Sequence, residues 1–82
     1  MLIAYDETKR QSNIAKHGLD FASLTFDYFE AAAIFPAKSG RALAIGELEG
    51  RIVIAVIFRP LGSEAISIIS MRPASRKERM LI

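Results

Sequence analysis

Ile52-Val53-Ile54-Ala55-Val56-Ile57-Phe58 is an unbroken apolar run in which β-branched residues alternate with little else. Such side chains lose rotamer freedom in a helix but pack well on a pleated surface, so the run is predicted to be a central strand with both faces covered. Working outward, Arg41 to Leu48 continues the extended pattern, and Glu49-Gly50 stands where a tight hairpin loop belongs before Arg51. On the other side, Pro60-Leu61-Gly62-Ser63 reads as a loop and Ala65 to Met71 as the last strand, with Pro73 ending the pairing. Ala32 to Phe35 opens this sheet, and Lys38-Ser39-Gly40 turns the chain back into it.

Helices must then cover one face, and the N-terminal third supplies them. Leu2-Ile3-Ala4-Tyr5 is a short strand, and Asp6 is a suitable N-cap for a helix from Glu7 to His17. Gly18 is placed for the left-handed residue that ends it. Asp20 is expected to cap a second helix, in which Phe21, Leu24, Thr25 and Tyr28 recur at the spacing of one buried face. Ser75 followed by Glu78 fits a capping box and starts a C-terminal helix of about two turns. The expectation is an α+β fold: a single domain over residues 1–82, with two N-terminal helices packed on an antiparallel β-sheet and a short C-terminal helix.

Composition narrows the chemistry. With 82 residues, 51% hydrophobic and 24% charged, the chain has room for one core. It has no cysteine and one histidine, so disulfides, thiol nucleophiles and Cys-bound zinc are excluded, and no cofactor or metal site is expected. No apolar stretch is long enough to span a bilayer as a helix, and a cytoplasmic protein is expected. The net charge of +2 says little, but Arg72, Arg76, Lys77 and Arg79 against Glu78 leave a local excess of three positive charges at the C-terminal end.

What remains is metal-free chemistry on a phosphodiester. RNA carries its own nucleophile in the 2'-hydroxyl, so a small protein need only position the strand, move protons and stabilise charge on phosphorus. Arg72, Arg76 and Arg79 are the best phosphate ligands, because guanidinium matches phosphate oxygens in a bidentate way. Lys9, Asn13 and Lys16 form a polar ridge on successive turns of the first helix. His17 is the proton-transfer candidate, or else a helix-end residue donating to an orphan carbonyl. Glu78 serves the capping box, orients the arginines, or assists proton transfer, and Arg59 lines an active-site rim or is a solvated residue. Tyr5 stacks on a base or packs on the first helix, whereas Phe21, Tyr28, Phe29, Phe35 and Phe58 are assigned to the core.

Two segments together resemble a known family. Tyr5-Asp6-Glu7-Thr8-Lys9 with Asn13, Lys16-His17-Gly18 and Phe21 is similar to the N-terminal signature of the BrnT family of ribonuclease toxins. Ile68-Ile69-Ser70-Met71-Arg72-Pro73-Ala74, followed by Arg76-Lys77-Glu78-Arg79, resembles its C-terminal signature. The resemblance implies a RelE-like fold and endoribonuclease activity that halts translation and growth. It also implies neutralisation by a BrnA-type antitoxin, with DNA contacted only through that partner. Carried over, Lys9, Lys16, His17, Arg72, Glu78 and Arg79 match signature positions. Tyr5, Phe58-Arg59-Pro60 and Ser67 depart from it, since the family more often has tryptophan, a tyrosine-threonine pair and a basic residue there. The resulting expectation assigns Arg72, Arg79, His17 and Glu78 to catalysis and Lys9, Lys16, Arg59 and Arg76 to RNA binding. The alternative is a basic module without chemistry that receives a segment of a partner protein.

Overall fold

In the computed structural model, which describes residues 1–82, the elements follow in the order β1 (Leu2–Ala4), α1 (Glu7–His17), α2 (Phe26–Ala31), β2 (Ala33–Pro36), β3 (Ala42–Leu48), β4 (Ile52–Leu61), β5 (Ala65–Pro73) and α3 (Arg76–Arg79). The strands make one five-stranded sheet, ordered β1-β5-β4-β3-β2. β2 to β5 form the expected antiparallel meander, but β1 pairs with β5 in parallel, Leu2 opposite Ala65 and Ala4 opposite Ser67. The sheet is therefore mixed. The chain reaches the far edge of the sheet from β1 only after passing through both helices, and such a crossover permits a parallel pair.

Helix α1 has the bounds its caps dictate. The Asp6 carboxylate accepts the backbone N–H of Lys9 at 3.0 Å, and Gly18 closes the helix at φ 68°. The second helix differs from the expected one. Asp20 caps a single 3-10 turn, Phe21–Ser23, the chain extends through Leu24 and Thr25, and α2 starts only at Phe26. Phe21, Leu24 and Tyr28 are buried as their spacing predicts, while Thr25 is exposed and occupies the N-cap position that β-branched hydroxyl residues tolerate better than a helix interior. The C-terminal helix is one turn long, with both hydrogen bonds of its Ser75–Glu78 capping box in place.

Both helices lie over one face of the sheet, where Phe21, Ile54, Val56, Ile68 and Met71 are fully or almost fully buried. Each such side chain contributes roughly 1.5–3 kcal/mol by leaving water. The Tyr28 hydroxyl reaches through this core and lies 3.1 Å from the carbonyls of both Ala44 and Ile54, tying α2 to two strands. Burial pushes the phenol's ionisation upward, so it stays a hydrogen-bond donor. The opposite face of β4 is less enclosed than expected. Its cross-strand pair Ile45–Ala55 is fully buried, but Leu43, Val53 and Ile57 around it are half-buried.

Two further strand features were not expected from the sequence. β4 does not end at Phe58 but runs on through Arg59 and Pro60 to Leu61. The missing N–H of Pro60 is tolerated because β3 has already run out, at Ala42 opposite Phe58, leaving one side of β4 unpaired. In β5 the register slips, with Ser70 opposite Ile57 and Ile68 opposite Phe58, so that Ile69 is an extra, bulged residue. Bulges bend a strand and re-aim its side chains, and this one sits beside a groove along α1.

Candidate functional site

Helix α1 and the bulged part of β5 border a groove of about 220 Å³, lined by Lys9, Ser12, Asn13, Lys16 and His17 from the helix and Ile69 and Ser70 from the strand. The spacing of the helical residues, three or four apart, stacks them on one side of α1. Lys9, Lys16 and His17 are exposed, and no carboxylate lies within ion-pair distance of any of them. The third α1 cation is used elsewhere. Arg10 donates from Nε and Nη2 to Asp20 at 2.7 and 2.9 Å and from Nη1 to Glu7 at 2.7 Å, joining α1 to the 3-10 turn. The charge-assisted bonds from Arg10 hold the Asp20 carboxyl down at about 2. Two lysines and a histidine are thus the free positive or ionisable groups of the groove.

Asn13 departs from the expected ridge. It is buried, and its carboxamide is spent on the backbone: Oδ1 accepts the N–H of Met71 at 3.1 Å, and Nδ2 donates to the carbonyls of Met71 at 2.8 Å and Leu19 at 3.0 Å. Ser12 and Ser70 are groove residues that sequence reasoning missed; Ser70 could have been found only from the bulge, which leaves no composition signal.

The C-terminal arginines do not line this groove, and Arg72, paired with Ala55, stands on the face of the sheet opposite the helices. Arg72 is two residues beyond Ser70 on the same face of β5, since their β4 partners, Ala55 and Ile57, also share a face. Its guanidinium is held by Glu78 through two bonds, Nη1 to Oε1 at 2.6 Å and Nη2 to Oε2 at 2.9 Å. Glu78 Oε1 also accepts the backbone N–H of Ser75 at 2.8 Å. The Arg72 bonds dominate in holding the Glu78 carboxyl at about 2, and the Ser75 N–H adds to them, so the group is a fixed anion over the physiological range. This geometry favours orientation of Arg72 over proton exchange. Arg76 and Arg79 project from α3, both exposed and without a carboxylate partner. Arg59 is half-buried on β4, near Gly40 in the turn after β2, and does not line the groove. Tyr5 packs edge-to-face on Phe21 with ring centroids 5.8 Å apart, so it buttresses the 3-10 turn.

Residues 5–78 match the family described as the ribonuclease toxin, BrnT, of type II toxin-antitoxin systems. The chain belongs to the BrnT family. The crystal structure of the Brucella abortus ribonuclease toxin BrnT is 63% identical in sequence, with a TM-score of 0.88 over 93% of this chain and 99% of that one. No curated protein sequence matches the chain. Family membership makes this a toxin of the type II class, for which an antitoxin protein is the partner. The BrnT match spans both halves of the site, from α1 to the Arg72–Glu78 pair. No helix is long and apolar enough to cross a membrane. A second groove, of about 250 Å³ and lined by Met1, Phe26, Phe29, Ile34, Phe58 and Ile66 with Glu30, is almost wholly apolar and lacks the cations of the first.

Proposed function

We propose that the chain is a metal-independent endoribonuclease on a RelE-like scaffold, which stops translation and growth by cutting RNA and is neutralised by a BrnA-type antitoxin. The observation that carries this reading is the groove lined by unpaired Lys9 and Lys16 and the ring of His17, in a chain whose BrnT-family match also takes in the preoriented Arg72. Lys9 and Lys16 hold the phosphates flanking the cut, and Arg59 and Arg76 contact phosphates further along the strand. As the 2'-oxygen bonds to phosphorus, His17 takes its proton; the bond from phosphorus to the 5'-oxygen then breaks, and that oxygen takes a proton from solvent. The products are a 2',3'-cyclic phosphate and a 5'-hydroxyl. Arg72 and Arg79 stabilise the charge that builds on the phosphorane oxygens, and Glu78 holds Arg72 in place for it.

The test is induced expression together with RNA cleavage by purified protein in the presence of chelator. Growth arrest and chelator-resistant cleavage are expected, both lost in the folded double variant Arg72→Ala, Arg79→Ala. If that variant remains as toxic as the parent, the assignment of roles fails. The second, apolar groove favours a separate reading, a binding module without chemistry that receives an amphipathic partner segment. Tight partner binding by a protein that leaves RNA intact would select it.

A further inference from the structure

The geometry points to Asn13 as the positioning residue of the groove, a role that rests on the nuclease reading. Its side chain is buried in a helix whose other polar residues are exposed or half-buried, and all three of its hydrogen bonds go to backbone groups outside α1. A carboxamide with one acceptor and two donor hydrogens has thereby filled both donors and used its acceptor. Asparagine is a poor helix-interior residue, so nothing in α1 itself calls for it.

Its partner identifies the role. Met71 faces Val56 of β4, yet its N–H and C=O both bond to Asn13, on the side of β5 away from β4. β1 covers that outer side only from Ala65 to Ser67, and four residues further along Asn13 occupies it at Met71, acting as a one-residue strand. On the helix, Asn13 is four residues from Lys9, three from Lys16 and four from His17, all in the groove. On the strand, Met71 lies between Ser70 of the groove and Arg72. One side chain therefore fixes the spacing between the cations of α1 and the bulged stretch of β5 that forms the other wall of the groove. Met71 is itself fully buried, so the joint has a rigid seat.

The test compares Asn13→Gln and Asn13→Ser with Ile68→Val, a core variant remote in role, on a single-stranded RNA oligonucleotide. Asn13→Gln keeps the carboxamide but lengthens it by one methylene, displacing α1 from β5 while leaving the Met71 amide protected from exchange. A misplacement of about 1 Å costs on the order of 100-fold in rate, so kcat should fall by about 10- to 100-fold with KM changed less than about threefold. Asn13→Ser should show the same kcat loss together with faster exchange of the Met71 amide. Ile68→Val, with unfolding matched by choice of temperature, should keep its kcat. Folded Asn13 variants with parental kcat overturn the inference. If the parent chain cuts no RNA, the nuclease reading fails by itself; Asn13 is then judged by the Ser12 and Ser70 resonances, and their failure to shift in Asn13→Gln overturns the positioning role.

Discussion

Arg72 and Glu78, six residues apart, close the corner between β5 and α3 with two parallel hydrogen bonds of 2.6 and 2.9 Å. The carboxylate is stabilised by the fold, its pKa near 2 against an ordinary 4.5. A carboxyl depressed in the folded state contributes stability that is complete above its unfolded pKa and disappears as pH falls through the folded one.

The contribution of Glu78 should therefore be constant above about pH 5 and decline between about pH 4.5 and pH 2. Asp20 titrates over a similar window, so the measurement is the difference between the parent and Glu78→Gln in urea unfolding at a series of pH values. With Arg72 partly solvated, a gap of about 1 kcal/mol at neutral pH that closes toward pH 2 is expected. A gap independent of pH would show that the variant acts through packing instead.

Lys9 and Lys16 have no ion-pair partner, so each is free to neutralise a phosphate. Replacing both with alanine should weaken binding of a 2'-deoxy single-stranded oligonucleotide and lower the slope of log K against log salt by about 1.4, at about 0.7 for each phosphate no longer neutralised. Filter binding at several salt concentrations checks it, and an unchanged slope would remove both lysines from the phosphate path.

Two glycines separate steric from conformational cost. A Cβ at Gly46 would meet Ala32 Cβ at 3.1 Å and Ala32 Cα at 3.2 Å, where the end of α2 packs on β3. Gly46→Ala should lower stability by about 1–3 kcal/mol through overpacking.

Gly18 has open space where a Cβ would stand, but its φ is 68°. Gly18→Ala should cost about 1 kcal/mol purely from the left-handed backbone, and Gly18→Asn should recover part of it. Thermal unfolding of both sets, with no change in the structure around Gly18, distinguishes the two causes.

Much of this was legible in the sequence because it is local. Asp6 and Gly18 bound α1, Ser75 and Glu78 start α3, and the positive φ values of Glu49 and Gly50 give the hairpin its turn. What was not legible depends on partners distant in sequence. The parallel docking of β1 against β5 joins residues more than sixty positions apart, and no periodicity in Leu2–Ala4 records it. Strand β4 passing through Pro60 depends on where β3 stops. The site divides in the same way. The α1 cations followed from helical spacing, but the same spacing put Asn13 on their polar ridge, and its burial against Met71 could be found only from the fold.

That partnership also bears on what the edges of the sheet offer to another chain. An open sheet invites another chain to extend it wherever a run of unpaired backbone groups is exposed. Here β1 is three residues long, the opposite border β2 is four residues long and ends in Pro36, and the Met71 backbone left bare by β1 is already occupied by Asn13. Neither border offers a second molecule a continuous ladder, so the fold guards against fibre-like stacking with the same side chain that sets its groove.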